Sequence, residues 1–308
     1  MAVTLNKVVY RAFGLSMISE IMLPELPLIH IQDNQIDVVI KRADLTPLWN
    51  QLAKPNETYV VRENSFMFRV PDTAIFCIQD GAEITVSAAY GADEAKIRLY
   101  LLGTCIGALL MQKRILPLHG SAIVIDGKAY ALVGDSGAGK STLASVFVSR
   151  GHQLISDDLI AVNFSHDRIP VVMPAYPQQK LWQESLTEFG MEASQFPSIF
   201  DRETKYLVPV PGPFITEPLP LAGVIELGKE EGEQVMMKSV QGLERLHTLY
   251  RQTFRSFLLA KFDLLEWHFG MTAAISNQID FYQIHRPHSG FTAPQMASLI
   301  LKTVQGDE

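Results

Sequence analysis

Residues 118–162 read LHGSAIVIDGKAYALVGDSGAGKSTLASVFVSRGHQLISDDLIAV. Two apolar runs, SAIVI and KAYALV, flank Asp126-Gly127, a dipeptide that favours the tight turn of a two-residue hairpin. The spacing therefore predicts an antiparallel pair of strands. The second strand runs into Gly134-Asp135-Ser136-Gly137-Ala138-Gly139-Lys140-Ser141-Thr142, after which the chain reads as a helix ended by Gly151. HQLIS is a further strand leading into Asp157-Asp158. A hairpin joined to a strand, glycine loop and helix predicts an α/β fold of α+β character, built on a mixed sheet rather than an all-parallel one.

The loop has the form Gly134-x-x-x-x-Gly139-Lys140-Ser141, between a strand and a helix. Glycines let successive backbone N–H groups turn inward onto phosphate oxygens, and the helix N-terminus adds partial positive charge. Lys140 can reach the outer phosphates and the Ser141 hydroxyl can ligate Mg²⁺, so ATP and Mg²⁺ are the expected ligands. The plainer alternative, a glycine turn without function, does not explain the lysine, serine and helix together.

Asp157 and Asp158 fall at the end of the next strand, where active-site groups of open sheets collect. Two adjacent carboxylates can divide two tasks, one holding Mg²⁺ and one accepting the proton of an attacking hydroxyl. Taken alone the pair also suits a helix cap or a solvated turn. His119 precedes the hairpin and can tune an aspartate or meet phosphate, although a lone histidine is commonly structural. Lys205, Arg251 and Arg255 are candidates for charge at a phosphate, with solvated surface charge as the competing reading.

Upstream, VVYRAFGL, IDVVI, TYVVREN, FMFRV, AIFCI and ITVSAA predict about six short strands. Val60, Phe66, Phe68 and Val70 recur with a period near two, as half-buried antiparallel strands would. A helix over 95–113 closes this region. Downstream, VVMPAYP, KYLVPVP, AGVIEL and QVMMKSV predict strands, and 242–262 and 293–304 predict helices. The chain divides into a β-rich N-terminal domain over 1–116 and a loop-bearing domain over 117–308.

A chain of 308 residues has room for two cores, and 47% hydrophobic with 19% charged residues is ordinary for a soluble globular protein. The net charge of −7 argues against a nucleic-acid surface. The run Leu99 to Met111 is too short to span a membrane and reads as a buried helix. The first residues lack the charged and apolar segments of a secretory leader. Cys77 and Cys105 lie amid apolar residues without ligand spacing and read as buried thiols in a reducing, cytoplasmic setting.

Residues 118–162 resemble the catalytic core of HPr kinase/phosphorylase, with the same order of His-Gly, hairpin, GDSGxGKS, helix, Arg-Gly-His, strand and Asp-Asp. The resemblance implies a nucleotide fold similar to that of phosphoenolpyruvate carboxykinase. It implies that residues 134–142 bind nucleotide, that Asp157 accepts the proton, and that Asp158, His119 and Lys140 act beside it, with Ser141 and Asp158 toward the metal. Thr142 stands where the bacterial HPr kinases usually have Glu, and no counterpart of their EIRGLG signature is present; both departures point away from HPr and from phosphorolysis.

The stretches YRAFGLSMISEIMLPEL, LYLLGTCIGALLMQKRILPLHGSA and LERLHTLYRQTF also resemble the HPr-kinase-like branch found with lasso-peptide biosynthesis. That resemblance implies a precursor peptide as partner, phosphorylated at its C-terminal serine, with the N-terminal domain holding the peptide and no membrane or nucleic acid involved. A homo-oligomer is compatible with it. The competing readings are an HPr-type protein kinase, a small-metabolite kinase of the shikimate-kinase kind, and a nucleotide-binding regulator without turnover.

Overall fold

Asp126 and Gly127 both take positive φ, 50° and 73°, as the twist-matched two-residue hairpin turn requires. They join strand Leu116–Ile125 to strand Lys128–Gly134 in antiparallel register, Ala122 opposite Ala131. The expected hairpin is therefore present in the computed structural model, which describes residues 8–29, 36–199, 202–210 and 214–306. The leader-free stretch expected at residues 1–7 lies outside them.

Two compact units divide the chain, Met1–Ile115 with Phe257–Leu264, and Leu116–Ser256 with Leu265–Glu308. In the second, Leu116–Ile125 also pairs antiparallel with Leu159–Phe164, which pairs with Pro170–Met173, which pairs with Leu219–Lys229. Leu219–Lys229 then runs parallel to Lys128–Gly134, so the five strands close a ring. Asp280–Arg286 extends the sheet in parallel and Met236–Ser239 adds an antiparallel edge. The sheet is mixed.

Alternation along these strands feeds two cores. Ala122, Val124, Ala131 and Val224 pack with Leu249, Met271 and Ile275 from helices Leu243–Gln252 and Leu265–Ser276. Ile123, Leu132, Ile225 and Leu227 pack with Phe147 and Ile300 from helices Lys140–Ser149 and Ala293–Gln305. A separate sheet joins Gln178–Trp182, Arg202–Pro209 and Ser198–Ile199.

The N-terminal unit holds an eight-stranded sheet, ended by Leu28–Ile29 and Tyr59–Arg62. Strand Ser65–Val70 departs from the half-buried expectation: Phe66, Met67 and Phe68 are all buried. Helix Thr46–Leu52 supplies the reason, because its Trp49 packs with Met67 and Cys77, while Phe66, Phe68 and Phe76 stack on one another. The helical run from Glu94 to Gln112 contains one π turn, Leu101–Cys105, and buries Leu101 and Ile106 completely. Both cysteines are free and buried. Among the described residues no helix is long and apolar enough to cross a membrane.

The helix expected over 242–262 is two helices, Leu243–Gln252 and Phe257–Lys261. Periodicity carries through the break, but the backbone does not. Thr253 bridges Leu118, the Phe254 N–H donates to Pro117 O, and Arg255 takes φ 53°. The strand Asp280–Arg286 escaped the sequence reading entirely.

Candidate active site

The loop after strand Lys128–Gly134 turns on Gly134, Gly137 and Gly139, with φ of 138°, 81° and 103°. Gly134 has a further constraint, since a Cβ there would meet Leu227 O at 2.5 Å. Helix Lys140–Ser149 begins at Gly139 without any side-chain cap, so its first-turn N–H groups face the cleft with no side chain satisfying them. Such an end attracts an anion. Lys140 is buried and its ammonium donates to Gly134 O (2.7 Å) and Asp135 O (3.0 Å). Burial lowers its pKa, and the charge of Asp158 opposes that effect.

Asp157 and Asp158 point to different partners. Asp157 is 5% exposed; one carboxylate oxygen accepts from Ser121 Oγ and the other from the Lys180 backbone N–H at 2.8 Å. Asp158 takes φ 71°, in the left-handed region that aspartate adopts more readily than most residues, and its carboxylate meets other partners than its neighbour's does. Its Oδ2 meets Lys180 Nζ at 2.5 Å, and its Oδ1 lies 3.7 Å from His119 Nδ1. Burial works against its charge, yet Lys180 and His119 hold its carboxyl well below the usual carboxylate range. Burial works against the charge of Lys180, yet Asp158, Tyr176 and Asp157 together hold its ammonium above its ordinary value.

His119 Nδ1 lies 2.9 Å from Asp158 O. Burial lowers its pKa, against the attraction of Asp158, and Lys140 and Lys205 lower it further. A carbonyl oxygen only accepts, so Nδ1 donates to it, which assigns that ring nitrogen its hydrogen from the acceptor. Gly120 must follow His119, since a Cβ there would lie 2.3 Å from Leu132 O across the hairpin.

His119, Lys140, Asp158 and the loop from Ser136 onward line one cleft of about 500 Å³. Of the sequence candidates it gathers His119, Ser136 to Thr142, Asp158 and Lys205. It does not gather Gly134, Asp135, Asp157, Arg251 or Arg255. Asp157 faces Ser121 instead, and Arg251 pairs with buried Glu226 at 3.1 Å, with Asp135 at 3.9 Å. Lys205 lies over the Trp182 ring. The cleft also collects Lys229, Arg286 and His288, which the sequence reading missed; Arg286 Nε donates to Ala138 O. Lys180 was missed too. No local spacing marks it, because the strand that carries it meets the aspartates only through tertiary pairing.

Fold and cleft together define an α/β domain with a cation-rich cleft at a glycine-turned strand-to-helix loop. Residues 111–179, which contain that loop and both aspartates, match the family model described as the HPr Serine kinase C-terminal domain. HPr kinase/phosphorylase of Lactobacillus gasseri is 30% identical over 121 residues, 36% of this chain and 38% of its own length. That of Limosilactobacillus reuteri is 35% identical over 104 residues, 30% of this chain and 32% of its own. The chain thus spans roughly a third of the length of the curated relatives it matches. A solved Hpr(Ser) kinase/phosphatase from Coxiella burnetii covers 61% of this chain and 95% of its own at 15% identity, with a TM-score of 0.33. The matched segment supports an HPr kinase/phosphorylase-like family.

Proposed function

We propose that this protein is an ATP-dependent kinase of the HPr-kinase-like kind that phosphorylates a serine hydroxyl on a peptide or protein, and that its acceptor is the C-terminal serine of a lasso-peptide precursor. One observation carries the kinase reading: Lys140, an uncapped helix start, His119 and Asp158 meet in a single cleft. The cleft's Lys140, Lys205, Lys229 and Arg286 suit a polyphosphate. Mg²⁺ asks few protein ligands and prefers hard oxygens, and Ser141 and Asp158 are such donors on this cleft, so the residues fit it. Bound with the nucleotide, it would neutralise developing phosphate charge.

The chain's own groups then divide the work. The loop N–H groups and Lys140 orient the γ-phosphoryl group. Asp158 takes the acceptor's proton as the new oxygen–phosphorus bond forms and the bond to the leaving nucleotide oxygen breaks. The sequence expectation assigned that proton to Asp157. With both oxygens of Asp157 held by Ser121 and the Lys180 backbone, we assign it to position instead. The N-terminal unit would hold the peptide as an added strand beside Tyr59–Arg62, which ends its sheet.

Incubation with ATP, Mg²⁺ and a precursor peptide ending in serine, read by mass spectrometry, should add one phosphate at that serine. The same peptide ending in alanine should gain none. Transfer to HPr but to no peptide would move the acceptor to a folded protein, and nucleotide binding without any transfer would favour a regulator.

A further inference from the structure

A second cleft of about 310 Å³ opens at the start of the loop, lined by His119, Gly134 to Ser136 and residues 251–255. It meets the nucleotide cleft at His119 and Ser136, which line both. In-line transfer brings the acceptor oxygen to phosphorus from the side away from the leaving group, so a kinase needs a second approach to that point. Resting on the kinase reading, we propose that this second cleft receives the phosphoryl acceptor and selects one with a negative charge beside its hydroxyl.

The charge selection follows from the lining. Arg251 and Arg255 line it together; buried Glu226 holds Arg251 from behind at 3.1 Å, and on the open side the one lining carboxylate, Asp135, is 87% exposed and lies 3.9 Å away. The segment is pinned to the strand bearing His119 by the Thr253–Leu118 bridge and the bond from the Phe254 N–H to Pro117 O. Phe254 packs 6.1 Å from the His119 ring. That pinning breaks the helical run and sets Arg255 at φ 53°, turning the chain at the rim.

A buried network ties the arginine to the loop. Glu226 Oε1 accepts from Arg251 and from the Gln252 amide at 3.1 Å each, and its Oε2 accepts from Gln283 at 2.9 Å. The Gly134 N–H donates back to Gln252 Oε1 at 3.2 Å. An anion drawing on Arg251 therefore acts on a group bonded to the first glycine of the loop. Two chemistries can supply that anion: the main-chain carboxylate of a terminal serine, or an acidic side chain next to it.

The test uses full-length protein with a non-hydrolysable ATP analogue and fluorescein-labelled short peptides, read by anisotropy. One peptide ends in serine with a free carboxylate, a second is its C-terminal amide, and a third is the amide with aspartate before the serine. The free acid should bind about 10-fold or more tightly than the amide, the scale of one charge-assisted hydrogen bond. Arg251→Gln and Arg255→Gln should each remove that preference, and Arg255→Gln, which leaves the Glu226–Gln252–Gly134 network intact, should keep the affinity for a fluorescent ATP analogue unchanged. Recovery by the aspartate peptide assigns the anion to a side chain, and lack of recovery assigns it to the chain terminus. Equal binding of acid and amide, or arginine variants that weaken every peptide alike, overturns the proposal. Failure of the unaltered protein to bind the ATP analogue would instead sink the kinase reading.

Discussion

Among the described residues, the N-terminal unit buries Thr73, Thr85 and Thr104 as its polar side chains and buries no charge. The second unit buries Lys140, Asp157 and Glu226, together with His268, Gln179 and Gln252. A threonine hydroxyl finds a nearby acceptor at little cost, as Thr73 does on Pro71 O. A buried charge costs several kcal/mol unless paired and hydrogen-bonded. The second unit meets that demand with dense partners around one loop, and such concentrations of desolvated, paired charge gather at functional sites. The contrast separates a unit whose interior is for packing from one whose interior is for chemistry.

The strongest way to break that contrast is within the aspartate pair. Asp158→Asn should lower transfer by roughly 10²–10⁴-fold and raise the Mg²⁺ concentration needed, since it removes the proton acceptor and one of the two metal donors together. Asp157→Asn should act mainly on stability, by about 1–3 kcal/mol, because the amide nitrogen then faces a donor, Ser121 Oγ or the Lys180 N–H. Turnover numbers beside urea midpoints decide it, and exchanged phenotypes would return the proton to Asp157.

Next in size is a pair of changes across the two units. Phe76→Ala should cost about 3–5 kcal/mol, because Phe76 is fully buried and stacked on Phe68 at 4.9 Å, yet the folded fraction should bind nucleotide normally. Lys140→Ala should do the reverse, since its ammonium bonds two carbonyls of its own loop: transfer should fall by about 10²–10³-fold with the fold kept. A Phe76→Ala protein that is folded but blind to nucleotide would dissolve the division of labour.

The smallest effect is a pH dependence. The His268 Nε2 lies 2.8 Å from Thr253 Oγ1, and burial pushes the His268 pKa down to about 4. The folded state therefore binds a proton less readily than the unfolded chain, near 6.5, so stability is present above that value and falls as pH drops from there toward 4. The loss at pH 5 should be about 2 kcal/mol. His268→Gln should flatten the urea-midpoint profile across that window; an unchanged slope would show that another group titrates there.

Much of the second unit was legible because its signals are local. The Asp126-Gly127 turn, the glycine loop and its helix are each specified by residues within a few positions, and they formed as read. Periodicity misled where long-range partners intervened. It carried the 242–262 helix across a break made by Leu118 and Pro117, and it read Ser65–Val70 as one-sided because Trp49 covers the other face.

By itself, then, the sequence determined the strand, loop and helix, the presence of Lys140 and two adjacent carboxylates, and a mixed sheet around a hairpin. Tertiary structure alone decided which carboxylate faces the cleft. That choice rests on the φ of 71° at Asp158 and on Lys180, whose backbone holds Asp157 while its ammonium holds Asp158. It likewise brought Glu226, Gln252 and Arg286 to the loop across more than a hundred residues of chain in the case of Gln252 and Arg286. The physical reason is the same in each case: φ/ψ preference and hydrophobic period act over a few residues, whereas the partner that desolvates, ionises or occupies a carboxylate is chosen by strand pairing between distant segments.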